Sequence, residues 1–169
     1  APLGRDYVSA LAGGLAGRWC DRYPNRGKQS GAFSSGSYDA DPYILMNYKP
    51  EVLNEVFTLA HEAGHSMHTY YSKRAQPYLY YNYTIFVAEV ASTFNEQLLA
   101  RHLMGQAKSD KQRAFLINRE IDSIRGTILR QTMFAEFEQI THALAEAGEP
   151  LTVDRFKSEY RKLLELYFG

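Results

Sequence analysis

Residues 61–65 read HEAGH, a pattern whose side chains can hold a metal ion and move a proton. Residues four apart on an α-helix point in nearly the same direction, about 6 Å apart along the axis, so His61 and His65 can ligate one ion. Glu62 points beside that ion, where it can accept a proton from a zinc-activated water. The spacing therefore predicts a one-zinc site with Glu62 as general base, against the alternative of two helix histidines at an accidental spacing.

A catalytic zinc site needs a third protein ligand and one open position. A third histidine six residues beyond the motif is excluded, because Tyr71 stands there. We favour Glu89, since it is the lone charge in an apolar stretch, and a buried charge needs a partner or a metal. Glu96, two turns later, stays open as the ligand itself or as the hydrogen-bond partner of a ligand histidine.

His68 follows the motif by three residues and has two interpretations. It orients a ligand or contacts substrate, or it stabilises the C-terminal end of its helix, where a cation is favourable. The sequence alone leaves both interpretations open.

Apolar spacing predicts the elements that position these residues. Apolar residues recur at intervals of three and four, which predicts helices over residues 7–19, 52–70, 85–102, 111–147 and 152–167. Asp6 and Thr152 are the predicted N-caps of the first and last helix. Two short strands are predicted over residues 31–35 and 42–48, joined as a hairpin.

The helix over residues 85–102 matters most, because it carries Glu89. We expect it to end at Gly105 and to turn one apolar face inward, formed by Val87, Val90, Ala91, Phe94 and Leu98. A tyrosine-rich loop over residues 72–83 precedes it. Its rings are expected to pack inward with their hydroxyls in water, and so to hold the two helices in register.

Composition narrows the class of protein. The chain has 169 residues, and its 19 Lys and Arg balance its 19 Asp and Glu, so the net charge is zero. A nucleic-acid or anionic-membrane surface would need a basic excess, so we expect neither partner. The single cysteine, Cys20, cannot form an internal disulfide, which fits a reducing compartment and a cytoplasmic location.

Several segments together resemble a known family. Residues 61–68 (HEAGHSMH) and 83–93 (YTIFVAEVAST) are similar to the thimet-oligopeptidase family of zinc peptidases, and most similar to its oligoendopeptidase F branch. Three further segments resemble the same family: residues 30–36 (SGAFSSG), 42–47 (PYILMN) and 125–136 (RGTILRQTMFAE). The resemblance covers essentially the whole chain. It implies that His61, His65 and Glu89 bind zinc and that Glu62 is the general base.

The resemblance also implies a fold and a substrate cleft. The expected fold is mainly α, with a zincin-like core of a HExxH helix, a second ligand-bearing helix and a small β-hairpin. The glycine- and serine-rich segment lines the cleft as an edge strand that pairs with peptide backbone. The substrate-binding candidates are Gly31, Ala32, Phe33, Ser34 and His68.

Family members are several times longer than this chain. Residues 1–169 are therefore expected to be one partial catalytic domain, without the N-terminal half and without the C-terminal loop that carries His and Tyr donors. The expected partners are oligopeptide substrates and the remaining segments of the parent peptidase.

Three hypotheses about function follow. The first is a zinc-dependent metallo-endopeptidase that hydrolyses short oligopeptides. The second is a zinc-binding but catalytically silent fragment that acts as a structural module. The third is a helical scaffold without metal.

Overall fold

The structure is a computed structural model that describes residues 2–169. It is mainly helical with a small three-stranded sheet. The chain divides into two compact units, of which the first ends at Gly105 and the second begins at Gln106. Within the described residues, no helix combines the length and the apolar character needed to cross a membrane. The expectation that residues 1–169 form one partial catalytic domain stays a prediction.

The first unit contains the HEAGH motif. Its elements are α1 (Gly4–Ala16), β1 (Cys20–Asp21), β2 (Phe33–Ser35), β3 (Tyr43–Leu45), α2 (Leu53–Ala75) and α3 (Ile85–Gln106).

The sheet confirms the predicted hairpin and adds one strand. Its order is β1-β3-β2, with β2 antiparallel and β1 parallel to β3, and Ser34 lies opposite Ile44. Both hairpin strands are shorter than predicted. Strand β1 has only two residues, too few to show an alternating pattern, so it is not predictable from the sequence. In this order β2 is an edge strand of the sheet.

The sheet packs on α2, which carries the motif. Ile44 and Met46 are fully buried and form a core cluster with Ala63 of α2. Ala63 lies inside the motif, so the same helix turns one face to the core and its histidines away from it. This burial fixes the rotation of α2 about its axis.

The first helix differs from its prediction at both ends. Asp6 lies inside the first turn, and the N-cap residue is Leu3, without a side-chain cap. Trp19 lies beyond the helix end and folds back, with its ring 5.5 Å from that of Tyr70. A Cβ at Gly14 would overlap the Trp19 ring, so a glycine there lets the indole pack on the helix.

Helix α2 continues past its predicted end at residue 70. It includes Tyr71 and also residues 72–75, which were predicted to begin the tyrosine-rich loop. Tyr71 stacks on Tyr7 with ring centroids 6.2 Å apart, and Arg74 lies over the Tyr70 ring. These tertiary contacts outweigh the weak helix propensity of tyrosine.

The predicted inward face of α3 is wrong in part, since only Ala91 and Leu98 of its five residues are partly buried. Val90 is 63% exposed and Phe94 is 53% exposed, whereas Ser92 is fully buried. Periodicity finds an apolar face, but it does not show which face meets the neighbouring helix. Small residues make this contact, and Gly105 lies inside the last turn of α3 rather than ending it.

The second unit contains helices only. They are α4 (Asp110–Ile124), a π-helical turn (Arg125–Leu129), α5 (Arg130–Glu146) and α6 (Val153–Phe168). The predicted helix over residues 111–147 is helical throughout, but apolar periodicity could not show its π-helical turn. The Thr152 cap is confirmed, because its side chain accepts a hydrogen bond from the backbone N–H of Arg155.

Candidate metal centre

The two motif histidines meet on one side of α2. Their Nε2 atoms lie 3.1 Å apart, and their rings are edge-to-face with centroids 4.7 Å apart. Both rings are partly buried, with 27% and 17% of the side chains of His61 and His65 exposed. The helical spacing therefore brings together two nitrogen atoms that can bind one cation.

Glu89 of α3 completes a group of three ligand atoms. Its Oε2 lies 3.2 Å from His61 Nε2 and 3.3 Å from His65 Nε2. In a tetrahedral site with metal–ligand distances near 2.0–2.1 Å, ligand atoms stand about 3.3 Å apart. The three side chains thus have the spacing that one tetrahedral ion requires.

Glu89 reaches this position because α2 and α3 approach closely at Gly64. A Cβ at Gly64 would lie 2.6 Å from Ser92 Cα and 2.7 Å from the carbonyl oxygen of Ala91. Ser92 then donates a hydrogen bond of 2.7 Å from its hydroxyl to Glu89 Oε2. The predicted burial of Glu89 is wrong, since 59% of its side chain is exposed, although the residue lies where the ligand was expected.

Glu96 was open as a metal ligand or as the hydrogen-bond partner of a ligand histidine, and it lies as the partner of His61. Its Oε1 lies 2.8 Å from His61 Nδ1, on the side of the ring away from Glu89. This bond is the main reason why the pKa of His61 is raised above its usual value, with burial acting against it. Glu96 therefore supports a ligand rather than joining the three ligand atoms.

The electrostatics of the three atoms favour a bound cation. Burial lowers the pKa of His65, which favours its neutral, metal-binding form. Two imidazole nitrogen atoms and a carboxylate oxygen at about 3 Å repel one another unless positive charge lies between them. A proton or a metal ion can supply that charge, and three convergent ligands suit a metal ion.

Glu62 lies on the buried side of the motif. The residue is 7% exposed, and burial is the main cause of its raised pKa. The backbone amide of Ser34, on edge strand β2, acts against this rise and lowers the pKa of Glu62. A carboxylate with a raised pKa is suited to exchange protons near neutral pH.

The segment predicted to bind substrate lies at and before β2. Gly31 has a φ of +91°, Ala32 packs against the core cluster, and Phe33 is 41% exposed beside Tyr43. Ser34 hydrogen-bonds to the motif helix through its hydroxyl, which contacts that of Ser66. Phe33 and Ser34 lie on the edge strand beside α2, as expected, whereas Gly31 and Ala32 precede the strand; the role of all four in binding stays a prediction.

A hydroxyl pair links β2 to α2 and was missed from sequence. Ser34 Oγ lies 2.7 Å from Ser66 Oγ, and Ser66 is fully buried one residue after His65. Serines are common in loops and on helices, so neither residue stood out. The signal that could have found Ser66 is its position four residues after Glu62, on the same helix face.

His68 lies in the interior of α2, because the helix runs to Ala75. Its interpretation as a residue at the helix end is therefore wrong. The ring stacks on that of Tyr83, with centroids 3.6 Å apart and planes at 5°, and its buried Nδ1 has no hydrogen-bond partner among the described residues. Burial lowers its pKa.

The tyrosine-rich loop packs in part. Tyr83 stacks on His68, and its hydroxyl lies 3.1 Å from Thr69 Oγ1, so the loop is fastened to α2 just before α3 begins. Tyr78 and Tyr80, in contrast, are 66% and 71% exposed. The expectation of inward rings is thus confirmed for Tyr83 and wrong for Tyr78 and Tyr80.

Comparison with known proteins gives one consistent match. The description "Peptidase family M3" matches residues 5–169. The chain is 53% identical over 169 residues to oligopeptidase PepF of Bacillus subtilis, and 48% identical over 168 residues to an oligoendopeptidase F homologue of Borreliella burgdorferi. These alignments cover 100% and 99% of this chain but only 25% and 28% of the relatives, so the chain spans about a quarter of their length.

A solved structure agrees in fold as well as in sequence. A crystal structure of a Chlamydophila abortus protein superposes with a TM-score of 0.78 at 43% identity, covering 99% of this chain and 28% of that one. The likeness therefore extends over nearly the whole described chain.

Proposed function

Because the chain belongs to peptidase family M3, we propose that it carries the metal centre of a zinc-dependent metallo-endopeptidase that hydrolyses short oligopeptides. The observation that carries this proposal is the convergence of His61 Nε2, His65 Nε2 and Glu89 Oε2 at separations of 3.1–3.3 Å. Two relatives are named as an oligopeptidase and an oligoendopeptidase, which supports the substrate class.

The ligand set fits zinc in number and in kind. Two histidines and one glutamate, with a fourth position left open, are a common arrangement in catalytic zinc sites. The exposure of Glu89 leaves one side of the site facing solvent. When bound, zinc supplies Lewis-acid polarisation of a carbonyl oxygen and lowers the pKa of water.

Glu62 is the general base of the proposed reaction. Its carboxylate accepts a proton from the attacking water and passes that proton to the nitrogen of the leaving amine, so the peptide bond breaks without net proton change. Burial raises the pKa of Glu62 toward the range in which a carboxylate can both accept and release a proton.

Edge strand β2 is the proposed site for the peptide backbone. An edge strand has one row of backbone groups without a strand partner, and an extended peptide can pair with them. Because Ser34 belongs to β2 and its hydroxyl contacts Ser66, one helical turn after Glu62, a peptide paired with this strand lies beside the base. Gly31, Ala32 and Phe33 belong to the same proposed substrate surface, with His68 as a further candidate.

The proposal also covers partners and location. This chain matches about a quarter of a longer peptidase. The remaining segments of such a peptidase are its proposed protein partners. A cytoplasmic location agrees with a single, free and partly buried cysteine, Cys20.

The test compares metal content and peptide hydrolysis in the protein as it is naturally made. Wild type is expected to hold about one zinc per chain and to cleave an internally quenched peptide. Glu89→Gln should lower both zinc affinity and turnover, whereas the matched change Glu51→Gln, at an exposed residue before α2, should alter neither. A wild type without zinc, or Glu89→Gln with unchanged zinc affinity and turnover, would contradict the proposal. Zinc binding without any cleavage would support the silent module instead.

A further inference from the structure

We propose that the Ser34–Ser66 hydroxyl pair is a positioning contact that fixes edge strand β2 on α2 and thereby holds Glu62 in its working orientation. The inference rests on the proposed function, because it concerns the base of that reaction. It assigns a role to two side chains that are not among the three candidate metal ligands.

Ser66 has the burial and the position that this role needs. It is fully buried, and its hydroxyl lies 2.7 Å from that of Ser34. A buried hydroxyl that loses its partner costs free energy, so the pair resists separation. Ser66 also follows Glu62 by four residues and therefore lies beside it on the same face of α2.

Ser34 joins the strand to the helix. Its side chain bonds to Ser66, and its backbone amide lies near enough to the Glu62 carboxylate to lower the pKa of that group. On its other side β2 is held by β3, where Ser34 lies opposite the fully buried Ile44. A strand of three residues has few ladder hydrogen bonds of its own, so a side-chain anchor has a large effect on its position.

The metal ligands have different supports. His61 is held by Glu96 and Glu89 by Ser92, whereas the serine pair holds the strand that contacts Glu62. Loss of either hydroxyl should therefore disturb proton transfer without changing the affinity for zinc. This separation distinguishes a positioning contact from a general structural one.

The test uses Ser66→Ala, Ser34→Ala and the double variant in the naturally made protein. Each is expected to lower kcat about tenfold with KM within about twofold of wild type and with zinc content unchanged. Because both hydroxyls act through one hydrogen bond, the double variant should be no slower than either single variant. Ser34→Thr keeps a hydroxyl on a strand that tolerates β-branching, so it should restore kcat. Ser37→Ala, exposed and beyond β2, is the matched control and should leave kcat unchanged.

A second readout does not depend on activity. The Ser34 amide should exchange its hydrogen faster in Ser66→Ala than in wild type, because the strand is less firmly held against Glu62. Unchanged exchange and unchanged kcat in an active protein would overturn this inference while leaving the proposed function intact. Loss of zinc together with kcat would also overturn it, since the pair would then act on the whole site. A wild type that cleaves no peptide overturns the proposed function, and with it this role.

Discussion

Glu96 fixes the orientation of His61 through a contact of 2.8 Å between Glu96 Oε1 and His61 Nδ1. A carboxylate can only accept a hydrogen bond, so Nδ1 carries the proton and Nε2 of a neutral ring directs its lone pair toward Glu89 and His65. The sequence analysis left Glu96 open as a ligand or as a supporting residue. The geometry favours the supporting role, because its oxygen lies at the nitrogen that faces away from the other ligands.

Replacement of Glu96 should weaken metal binding without abolishing it. Glu96→Ala removes the acceptor that orients His61, and loss of such a partner typically lowers metal affinity 10- to 100-fold. Glu96→Gln keeps an acceptor oxygen without the charge, so its effect should be smaller. Competition with a zinc-binding dye measures both affinities, and Glu55→Gln on α2 is the control. Equal zinc affinity of Glu96→Ala and wild type would refute the supporting role.

Gly64→Ala should separate α2 from α3. The added Cβ would lie 2.6 Å from Ser92 Cα, so the helices must shift and Glu89 must move away from the histidines. We expect a loss of about 1–3 kcal/mol in the free energy of unfolding and at least a tenfold loss of zinc affinity.

The control for this change is another glycine inside a helix. A Cβ at Gly13 of α1 meets open space, so Gly13→Ala should stabilise the protein by about 0.5–1 kcal/mol and leave zinc affinity unchanged. Denaturant unfolding and dye competition give the two quantities. If Gly64→Ala bound zinc as tightly as Gly13→Ala, the close approach would not be what positions Glu89.

Tyr83 should contribute more to stability than its exposed neighbour Tyr80. Tyr83→Ala removes the stacking on His68 and the contact with Thr69, so it should lower the free energy of unfolding by about 2 kcal/mol. Tyr80 is 71% exposed, so Tyr80→Ala should change the free energy of unfolding by less than about 0.5 kcal/mol. Urea unfolding followed by the fluorescence of Trp19, the single tryptophan, measures both. Equal losses of unfolding free energy in Tyr83→Ala and Tyr80→Ala would show that Tyr83 does not hold the loop on α2.

Tyr7 should make the first unit lose stability at high pH. Burial raises the pKa of Tyr7, with an Asn95 hydrogen bond acting against it, so above about pH 10 the unfolded chain releases this proton before the folded chain does. The folded state then binds more protons, and stability falls as the pH rises.

Tyr7→Phe removes this group and should flatten the pH dependence. At pH 8 the variant should be about 1 kcal/mol less stable, because the Asn95 side chain loses its hydrogen bonds with the Tyr7 hydroxyl and keeps the one to the Ala60 carbonyl. Between pH 8 and about pH 10.5, wild type should lose more stability than the variant, as measured by urea unfolding with Trp19 fluorescence. Parallel losses in the two proteins would mean that Tyr7 does not titrate as its burial implies.

Local patterns predicted the part of the site that lies on one helix. The positions of His61, Glu62 and His65 follow from helical geometry, and the hairpin follows from short apolar segments around a turn. Glu89 was chosen because a charge among apolar residues suggested burial, yet its surroundings are exposed. Glu89 does lie beside the two histidines, but it is not buried as the apolar sequence around it suggested.

Contacts between distant segments could not be predicted in the same way. The face of α3 that meets α2 depends on Gly64 and Ser92, small residues that carry no hydrophobic signal. The Ser34–Ser66 pair joins residues 32 positions apart, and no periodicity links them. Such contacts depend on the tertiary fold, which one sequence pattern does not define.

The proposed role of Glu62 is that of the base beside a zinc site built by His61, His65 and Glu89. Its most direct test is Glu62→Gln in the naturally made protein, with zinc content and peptide hydrolysis measured on the same sample. Zinc should stay near one per chain, because Glu62 is not a ligand, while kcat should fall at least about a hundredfold, since glutamine cannot accept the proton. Full turnover of Glu62→Gln with zinc bound would contradict the account.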